Sequence, residues 1–272
     1  MMFLWFACTE VEKPVVEQGT ISVLTYNIHG LPAEVTGDDT ETRVHEIAPR
    51  LSNFDIVGLQ EDWMDVHHQV LREYNQTLVI DRFDQPLDDE KVYGAGLSYF
   101  GQHPIINVEH VYYDSCHGLV NNGSDCFASK GVQHLELDIG GFFALHVLNT
   151  HLEAGGADAD HDIRTQQINT ILSLLEDIQE EPVVVMGDFN LRPSDPQEDE
   201  LLILFREEGN LRQTCMEVAC DESDHIDQIF IRSGSDIQLT VDRWERDASF
   251  VDSQALPLSD HPAIVSQLIW ER

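Results

Sequence analysis

Six short polar segments stand where apolar runs of this sequence end. In chain order they are TYN (25–27), LQE (59–61), NTHL (149–152), GDFN (187–190), HID (225–227) and SDHP (259–262). Each brings an Asn, Asp, Glu or His to a point where a strand would meet a loop. Strands whose ends share one rim of a sheet would gather these side chains into one pocket.

The side chains in these segments suit the hydrolysis of a phosphodiester, which needs a divalent metal, a base for water and donors for the charged transition state. Glu61 is a hard carboxylate of the kind that magnesium prefers, and the metal would act as a Lewis acid. His261, next to Asp260, titrates near neutrality and would serve as the base. Asp227 would hold the imidazole tautomer, and His151 would donate to the phosphate.

Each segment taken alone has an ordinary structural explanation. An Asn after a strand is usually a turn former, and the stretch from Asp188 to Asn190 fits a strand-exit turn followed by a helix cap. His261 and Pro262 fit a structural turn. Six such segments in this order make the purely structural explanation improbable, so the sequence favours a catalytic site.

The elements that must position these segments are visible as alternating apolar patterns. Residues 20–26, 55–59 and 182–186 predict buried strands. Residues 40–53 and 162–178 carry apolar side chains at helical spacing. Strands and helices intermingle along the whole chain, which favours two packed sheets with helices outside them.

Extended by a few residues, the segments read YNIHGLP, DIVGLQE, NTHL, VMGDFN, HIDQIF and LSDHP. As an ordered set they resemble the signature of the endonuclease/exonuclease/phosphatase superfamily. The resemblance covers the chain from about residue 20 to its end. It implies an α/β fold, a four-layer sandwich of two packed, mixed and mostly antiparallel β-sheets flanked by helices. It also implies a single catalytic domain over residues 20–272.

The resemblance implies a role for each polar residue. Glu61 is expected to bind the metal, with Asn27 beside it and Asp260 assisting the metal or the base. Magnesium is the expected ion, and the sequence does not distinguish it from manganese, cobalt or calcium. The implied catalytic residues are His261 as general base, Asp227 as its partner, Asp188 and Asn190 as groups that orient water and phosphate, and His151 as the donor on the phosphate side. Asp188 is the alternative base, and we favour His261.

Two further segments are similar to the sphingomyelinase branch of this superfamily. Residues 128–132 (ASKGV) resemble its S-N-K-G segment, which would turn Lys130 toward the phosphate. Residues 164–168 (RTQQI) resemble its V-R-x-x-Q-L segment, which would give Arg164 a similar role. The structural alternatives are a surface lysine at a strand start and an ordinary first turn of a helix.

The charge of the chain favours a lipid substrate over a nucleic acid. Asp plus Glu number 50 and Lys plus Arg number 15, a formal net charge of −35. Such a surface repels polyanions, whereas a choline headgroup phospholipid has no net charge. Sphingomyelin or a related phospholipid, met through transient membrane contact, is therefore the expected substrate of an expected monomer. The alternatives are a secreted nuclease, a hydrolase of small soluble phosphodiesters or phosphomonoesters, and a binding module that kept the fold.

Four of the five cysteines form two local pairs in the sequence, Cys116 with Cys126 and Cys215 with Cys220. Such pairs indicate disulfides in an oxidising compartment and free thiols in the cytosol. No C-x-x-C occurs, so this spacing does not favour zinc.

The N-terminal residues 1–7 (MMFLWFA), followed by Cys8, resemble the end of a bacterial lipoprotein signal. This predicts a lipidated Cys8, a signal remnant and tether over residues 1–19, and a secreted, periplasmic or cell-surface protein. The apolar run is short and lacks a basic region before it. The true start therefore lies upstream, or the run is a chance apolar tail.

Overall fold

The strands and helices alternate along the chain as the sequence predicts. The computed structural model describes residues 17–118, 125–220 and 224–272. Its strands are β1 (Gln18–Asn27), β2 (Ile56–Gln60), β3 (Val79–Phe83), β4 (Leu97–Gly101), β5 (Ile105–Tyr112), β6 (Gly131–Ile139), β7 (Phe143–His151), β8 (Val183–Asp188), β9 (Arg212–Gln213), β10 (Asp227–Arg232), β11 (Gln238–Arg246) and β12 (Ile264–Glu271). Its helices are α1 (Ala33–Thr36), α2 (Thr40–Ile47), α3 (Asp65–Tyr74), α4 (Asp158–Asp177), α5 (Pro196–Glu208) and α6 (Thr214–Glu217), with 3-10 turns at Ala48–Asn53 and Asp125–Phe127.

The strands form two six-stranded mixed sheets. Sheet one has the order β11-β12-β1-β2-β4-β3, and sheet two has the order β5-β6-β7-β8-β10-β9. The pairs β1–β2 and β7–β8 are parallel, and the other paired strands are antiparallel. The predicted fold class is confirmed.

Apolar side chains divide the molecule into four layers. Between the sheets lies one buried cluster, to which β1 contributes Ile21 and Val23. On the outer face of sheet one, α2 and α3 bury their apolar sides against a second cluster. On the outer face of sheet two, α4 and α5 do the same against a third. The order is therefore helices, sheet, sheet, helices.

Strand alternation aims the polar segments into the space between the sheets. Successive side chains of a strand point to opposite faces. In β8, Val184 and Met186 belong to the cluster between the sheets, so Asp188 faces the same way. By the same alternation, β1, β7 and β10 each turn one polar side chain inward at an end of the strand. These side chains are Asn27, His151 and Asp227.

Strand direction brings these side chains to one edge. Because β1 and β2 run parallel, with Asn27 opposite Gln60, Asn27 and Glu61 reach the same rim. In sheet two, His151 and Asp227 both have Asp188 as their Cα partner. The two rims face each other and enclose the predicted site.

Arginine side chains hold the loops beside this rim by donating to backbone carbonyls. Arg43 donates to the carbonyls of Ile28, His29 and Leu258 at 2.8–2.9 Å. Six other arginines make the same kind of bond elsewhere in the fold: Arg50, Arg82, Arg164, Arg212, Arg232 and Arg272. Several of the chain's few cations are thus used inside the fold.

Both predicted disulfides are present. Cys116 is bonded to Cys126 and Cys215 to Cys220, with Cα atoms 5.3 and 5.1 Å apart. No described helix has the length and apolar character that a membrane crossing requires. Cys8 lies outside the described residues, so its lipidation stays a prediction.

Several elements differ from the sequence prediction. The helix expected over residues 40–53 ends at Ile47 and continues as a 3-10 turn, with Pro49 near the start of that turn. The strands β3, β9 and β11 were not predicted. β3 and β11 are edge strands of sheet one with half-exposed side chains, and β9 is a two-residue edge strand of sheet two, so none shows a long apolar run.

Candidate active site

The centre of the site is a pair of carboxylates, the half-buried Glu61 and the buried Asp188, joined by one amide. Asn27 Nδ2 donates to Glu61 Oε1 and to Asp188 Oδ2, at 3.0 Å each. Glu61 follows a strand of sheet one, and Asp188 ends a strand of sheet two. Asn27 therefore links the two sheets at the point where their acidic side chains meet.

The burial of these carboxylates changes their protonation. Burial raises the pKa of Glu61, and the charge of Asp188 raises it further. The hydrogen bond from Asn27 acts in the opposite direction and lowers it. Burial and the neighbouring Asp227 raise the pKa of Asp188 to about 6. Two carboxylates confined in one buried space disfavour each other's charge, so the site attracts a cation.

His261 is oriented by an aspartate of sheet two. Its Nδ1 lies 3.0 and 3.1 Å from the two carboxylate oxygens of Asp227, which is buried. This contact places the Nδ1 proton toward Asp227. The other ring nitrogen, Nε2, then faces Asp188 Oδ2 at 3.7 Å and Asn27 Nδ2 at 3.5 Å.

The surrounding carboxylates hold a proton on this imidazole. Burial alone would lower the pKa of His261, but the hydrogen bond and charge of Asp227, with the charges of Asp188 and Asp260, raise it to about 10. His151 behaves oppositely. Burial, the charge of Lys130 and that of His261 hold the pKa of His151 well below its ordinary value. His151 is therefore a neutral ring, with Nε2 at 3.5 Å from Asp188 Oδ2.

Asn190 and Lys130 lie behind the carboxylates and share one acceptor. Asn190 Nδ2 donates to the Leu152 carbonyl at 3.1 Å, and its backbone N–H donates to Asp188 Oδ1 at 3.0 Å. Lys130 Nζ donates to the same Leu152 carbonyl at 2.6 Å and is almost fully buried. Lys130 thus lies beneath the wall of the site, directed to the Leu152 carbonyl, and its predicted contact with the phosphate stays a prediction.

The structure does not bring Arg164 to the site, which corrects the prediction of a phosphate contact. Its side chain is 1% exposed. The guanidinium donates to the carbonyls of Glu153 and Gly155 and to Glu198 Oε1. Arg164 is therefore a positioning residue for the loop after His151.

Asp260 lies at the exposed side of the site, and sequence reasoning missed the residue next to it. His29 Nδ1 lies 3.4 Å from Asp260 Oδ1 and 3.8 Å from Glu61 Oε2. The only signal for His29 in the sequence is its position two residues after Asn27. Its ring joins the two carboxylates predicted to hold or assist the metal.

Backbone conformation at the site is unusual. The backbone φ angles of His29, Glu61 and Asn190 are 49°, 61° and 48°. These values lie in the left-handed region, which residues other than glycine rarely adopt. Such strain is found at functional sites, where the surrounding structure holds it in place. Here it turns Glu61 and Asn190 toward the cleft immediately after their strands.

A buried amide network supports the site from below. Gln60 Nε2 donates to Asn149 Oδ1 at 2.7 Å. Asn149 Nδ2 donates to the Leu59 carbonyl at 3.1 Å and to Gln133 Oε1 at 3.2 Å. These bonds join β2 of sheet one to β6 and β7 of sheet two, so the sheets cannot slide at the level of the site without breaking them.

The polar residues open into a cleft of about 590 Å³. Its polar lining consists of Glu61, His151, Asp188, Asn190 and His261. Its walls are largely apolar and include Leu31, Val35, Trp63, Val92, Tyr93 and Phe127. The described lining contains neither Lys nor Arg. Sequence reasoning missed these walls because they come from separate loops that carry no motif.

The donor set fits an oxygen-preferring divalent cation. Glu61 and Asp260 both place a carboxylate oxygen near His29 Nδ1, at 3.8 and 3.4 Å, and Asp188 is joined to Glu61 through the Asn27 amide. Magnesium takes one or two carboxylates and keeps its waters. Asn27 uses its amide nitrogen toward the carboxylates, while its oxygen accepts from the backbone N–H of His29. In this arrangement Asn27 positions the acidic groups.

The family comparison covers most of the chain. A model described as the Endonuclease/Exonuclease/phosphatase family matches residues 24–261. A sphingomyelinase of Mycobacterium tuberculosis is 26% identical over 268 residues, which covers 91% of this chain and 52% of that protein. The chain spans about half the length of the curated relatives that it matches over most of its own length.

Solved structures share the fold. A beta-toxin variant of Staphylococcus aureus with bound magnesium ions has a TM-score of 0.65 at 15% identity, covering 91% of this chain and 99% of that chain. D. rerio TDP2 complexed with a single-strand DNA product has a TM-score of 0.70 at 16% identity, covering 92% and 98%. At these identities the likeness establishes the sandwich architecture alone.

The aspartate partner of His261 can be tested by NMR titration of the imidazole in metal-free protein. We expect its pKa to lie above the ordinary histidine value. We expect Asp227→Asn to lower it, because the substitution removes the nearest negative charge. An unchanged imidazole pKa in Asp227→Asn would show that Asp227 does not control the ring.

Metal binding at Glu61 can be tested by isothermal titration calorimetry with magnesium. Glu61→Gln keeps the shape and removes the charge, so we expect the affinity of the tightest site to fall at least about tenfold. The matched control is Glu73→Gln on the exposed face of α3, which should bind like the parent protein. Equal affinities in the two variants would exclude Glu61 as a ligand.

Proposed function

The chain belongs to the endonuclease/exonuclease/phosphatase family, and on that premise we propose that it is a divalent-metal-dependent phosphodiester hydrolase acting on sphingomyelin or a related phospholipid. The observation that carries the proposal is the position of His261. Asp227 holds one ring nitrogen, and the other faces Asp188 at the floor of an open cleft. This is the arrangement of a general base.

In the proposed reaction, His261 Nε2 takes a proton from water, and Asp227 stabilises the resulting imidazolium. Asp188 lies close enough to orient that water. His151 is a neutral ring that can donate a hydrogen bond to the leaving oxygen. A magnesium ion held by Glu61, with Asp260 assisting, would supply Lewis-acid stabilisation of the phosphate and offset the carboxylate charge that keeps His261 protonated. Asp188 is the alternative base, because its pKa of about 6 lies near neutrality.

The walls of the cleft support a lipid substrate. A nucleic-acid site needs cations that neutralise phosphates, and the described lining has neither Lys nor Arg. The side chains of Val35 and Val92 are 65% and 59% exposed, and Phe127 is 36% exposed. These three residues stand at the cleft and suit contact with the apolar part of a phospholipid during a transient visit to a membrane.

An aromatic pair beside the catalytic groups suits a quaternary ammonium headgroup. The ring centroids of Trp63 and Tyr93 are 5.7 Å apart, and Trp63 lies 6.4 Å from His151. Gly96 makes room for this indole, because a Cβ at Gly96 would lie 2.5 Å from the Trp63 ring. Aromatic faces attract such cations, which favours a choline phospholipid.

The relatives support the same choice. The Mycobacterium tuberculosis protein is a sphingomyelinase, and its alignment covers 91% of this chain. The structural likeness to D. rerio TDP2 with DNA keeps a nuclease as the second candidate, but the net charge of −35 opposes it. A small soluble phosphodiester is the third candidate.

A secreted or cell-surface location is part of the proposal. Two disulfides join local cysteine pairs in the described residues, and such bonds persist in oxidising compartments. Lipidation at Cys8 would hold the enzyme near its substrate.

A substrate panel tests the proposed specificity. Vesicles of sphingomyelin, vesicles of phosphatidylcholine, plasmid DNA and an aryl phosphodiester are each incubated with magnesium or with chelator. We expect magnesium-dependent release of the phosphorylated headgroup from sphingomyelin and no cleavage of DNA. Cleavage of DNA without cleavage of lipid would replace the proposal with the nuclease candidate. Turnover of the aryl substrate alone would favour the soluble hydrolase.

The base is tested by His261→Ala on whichever substrate is turned over. We expect kcat to fall at least about a hundredfold, the usual contribution of a general base. His45→Ala, on the exposed side of α2, is the matched control and should retain parental kcat. Parental turnover in His261→Ala would remove His261 from the mechanism and leave Asp188 as the candidate base.

A further inference from the structure

A histidine is buried against the second disulfide. Among the described residues, Cys215, Cys220 and His225 each offer one ligand atom, and these atoms all lie within 4.8 Å of one another. Cys215 and His225 are 3% and 4% exposed. In the sequence, Cys215, Cys220 and His225 form C-x4-C-x4-H. Zinc was not expected from the sequence because it contains no C-x-x-C, and this spacing is a different one.

The fold presents the His225 ring as a metal ligand would be presented. His225 Nδ1 lies 2.5 Å from the backbone carbonyl of Asp227 and therefore donates its proton there. The ring is stacked on Trp244, with centroids 5.1 Å apart. Nε2 is left as the nitrogen with the lone pair. Metal-binding histidines are characteristically held in this way, by a bond from their other nitrogen to a carbonyl or carboxylate.

The cysteines are placed by elements that do not depend on the disulfide alone. Cys215 lies in α6, which is fixed to β10 by the bond from Thr214 Oγ1 to the Ile229 carbonyl at 3.1 Å. The turn that follows passes through Ala219 with a φ of 50° and closes with the bond from Cys220 N–H to the Cys215 carbonyl. The two sulfurs would therefore stay close together after reduction.

We propose that Cys215, Cys220 and His225 form a zinc site when the Cys215–Cys220 disulfide is reduced. A reductant such as a phosphine supplies two electrons that break the S–S bond. The two sulfurs take up two protons, and the phosphine becomes its oxide with an oxygen atom from water. Zinc then displaces the two thiol protons into solvent, because thiolates are the ligating form.

The chemistry of the three ligand atoms determines which metal ion the site would bind. Two thiolates and one imidazole suit zinc or cobalt, and they do not suit magnesium or calcium, which prefer oxygen. Cys215, Cys220 and His225 would supply three of the four ligands that zinc commonly takes. The site meets the hydrolytic site at Asp227, whose carbonyl accepts from His225 while its carboxylate faces His261.

Oxidation would exclude the metal, because a disulfide sulfur is no longer a thiolate ligand. The metal-bound form is therefore the one expected of a newly made chain before its cysteines are oxidised. In that form zinc would join α6 both to Cys220 and to His225 just before β10, whereas the disulfide later joins α6 to Cys220 alone.

Cobalt titration of the full chain tests the proposal independently of any hydrolase activity. Protein reduced with a phosphine under anaerobic conditions is titrated with cobalt, and the thiolate-to-cobalt charge-transfer absorbance is followed. We expect the charge-transfer absorbance to report one cobalt ion bound to sulfur, zinc to abolish that absorbance, and oxidised protein to show none. Cobalt bound at the hydrolytic site gives no thiolate-to-cobalt charge-transfer absorbance, because that site has no sulfur ligand.

Variants assign the absorbance to its ligands. Cys116→Ser with Cys126→Ser removes the other pair and should leave the absorbance intact. Cys215→Ser with Cys220→Ser should abolish it, and His225→Gln should weaken cobalt binding at least about tenfold while the thiols remain. His225→Gln also provides the test if the double serine variant does not fold. Absence of the absorbance in the reduced parent protein would overturn the proposal. So would loss of the absorbance in the variant that lacks Cys116 and Cys126 but not in the variant that lacks Cys215 and Cys220. Unchanged cobalt affinity in His225→Gln would also overturn it.

Discussion

The arrangement of the site depends on the confinement of two carboxylates, Glu61 and Asp188, which come from opposite sheets and are joined through the amide of Asn27. Carboxylates confined together and largely removed from water disfavour each other's charge unless a cation or hydrogen-bond donors offset it. The surrounding structure supplies those donors and fixes the distance between the sheets. The amide network centred on Asn149 locks the same two sheets below the site. The acidity of the centre explains both the protonated state of His261 and the suitability of the space for a divalent ion.

Much of this centre could be predicted from the sequence because it follows from strand geometry. An apolar strand that ends in a polar residue positions that residue at a rim, and parallel pairing of β1 with β2 and of β7 with β8 brings such ends together. The family, the fold class and both disulfides were predicted correctly. What failed has physical reasons. Strand β11 buries Leu239, Val241 and Trp244 on one face, but a bulge between Val241 and Arg243 interrupts their alternation, so the sequence shows no regular pattern. Arg164 lies in a motif-like segment, but its guanidinium donates to loop carbonyls.

The cleft walls show a different limit of sequence reasoning. Leu31, Val92 and Phe127 belong to three loops far apart in the chain, and no spacing connects them. Their common property, an apolar surface around an acidic floor, exists only after folding. A cleft of this kind can exclude water from a neutral headgroup while it remains unattractive to a polyanion. Selectivity between lipid and nucleic acid would then rest on the walls and the overall charge, with the hydrolytic groups common to both chemistries.

The arginines that hold backbone carbonyls have a consequence for how the protein responds to acid. Arg43 donates to three carbonyl oxygens beside the site, and both partners keep their charge state across the pH range in which carboxylates become neutral. An acidic protein held together mainly by ion pairs would lose its loops as those carboxylates took up protons. Arg43 also pairs with the carboxylate of Asp38 at 3.1 Å, and that ion pair does depend on the titration. Acidification would therefore weaken the ion pair of Arg43 and leave its three bonds to the loop carbonyls in place.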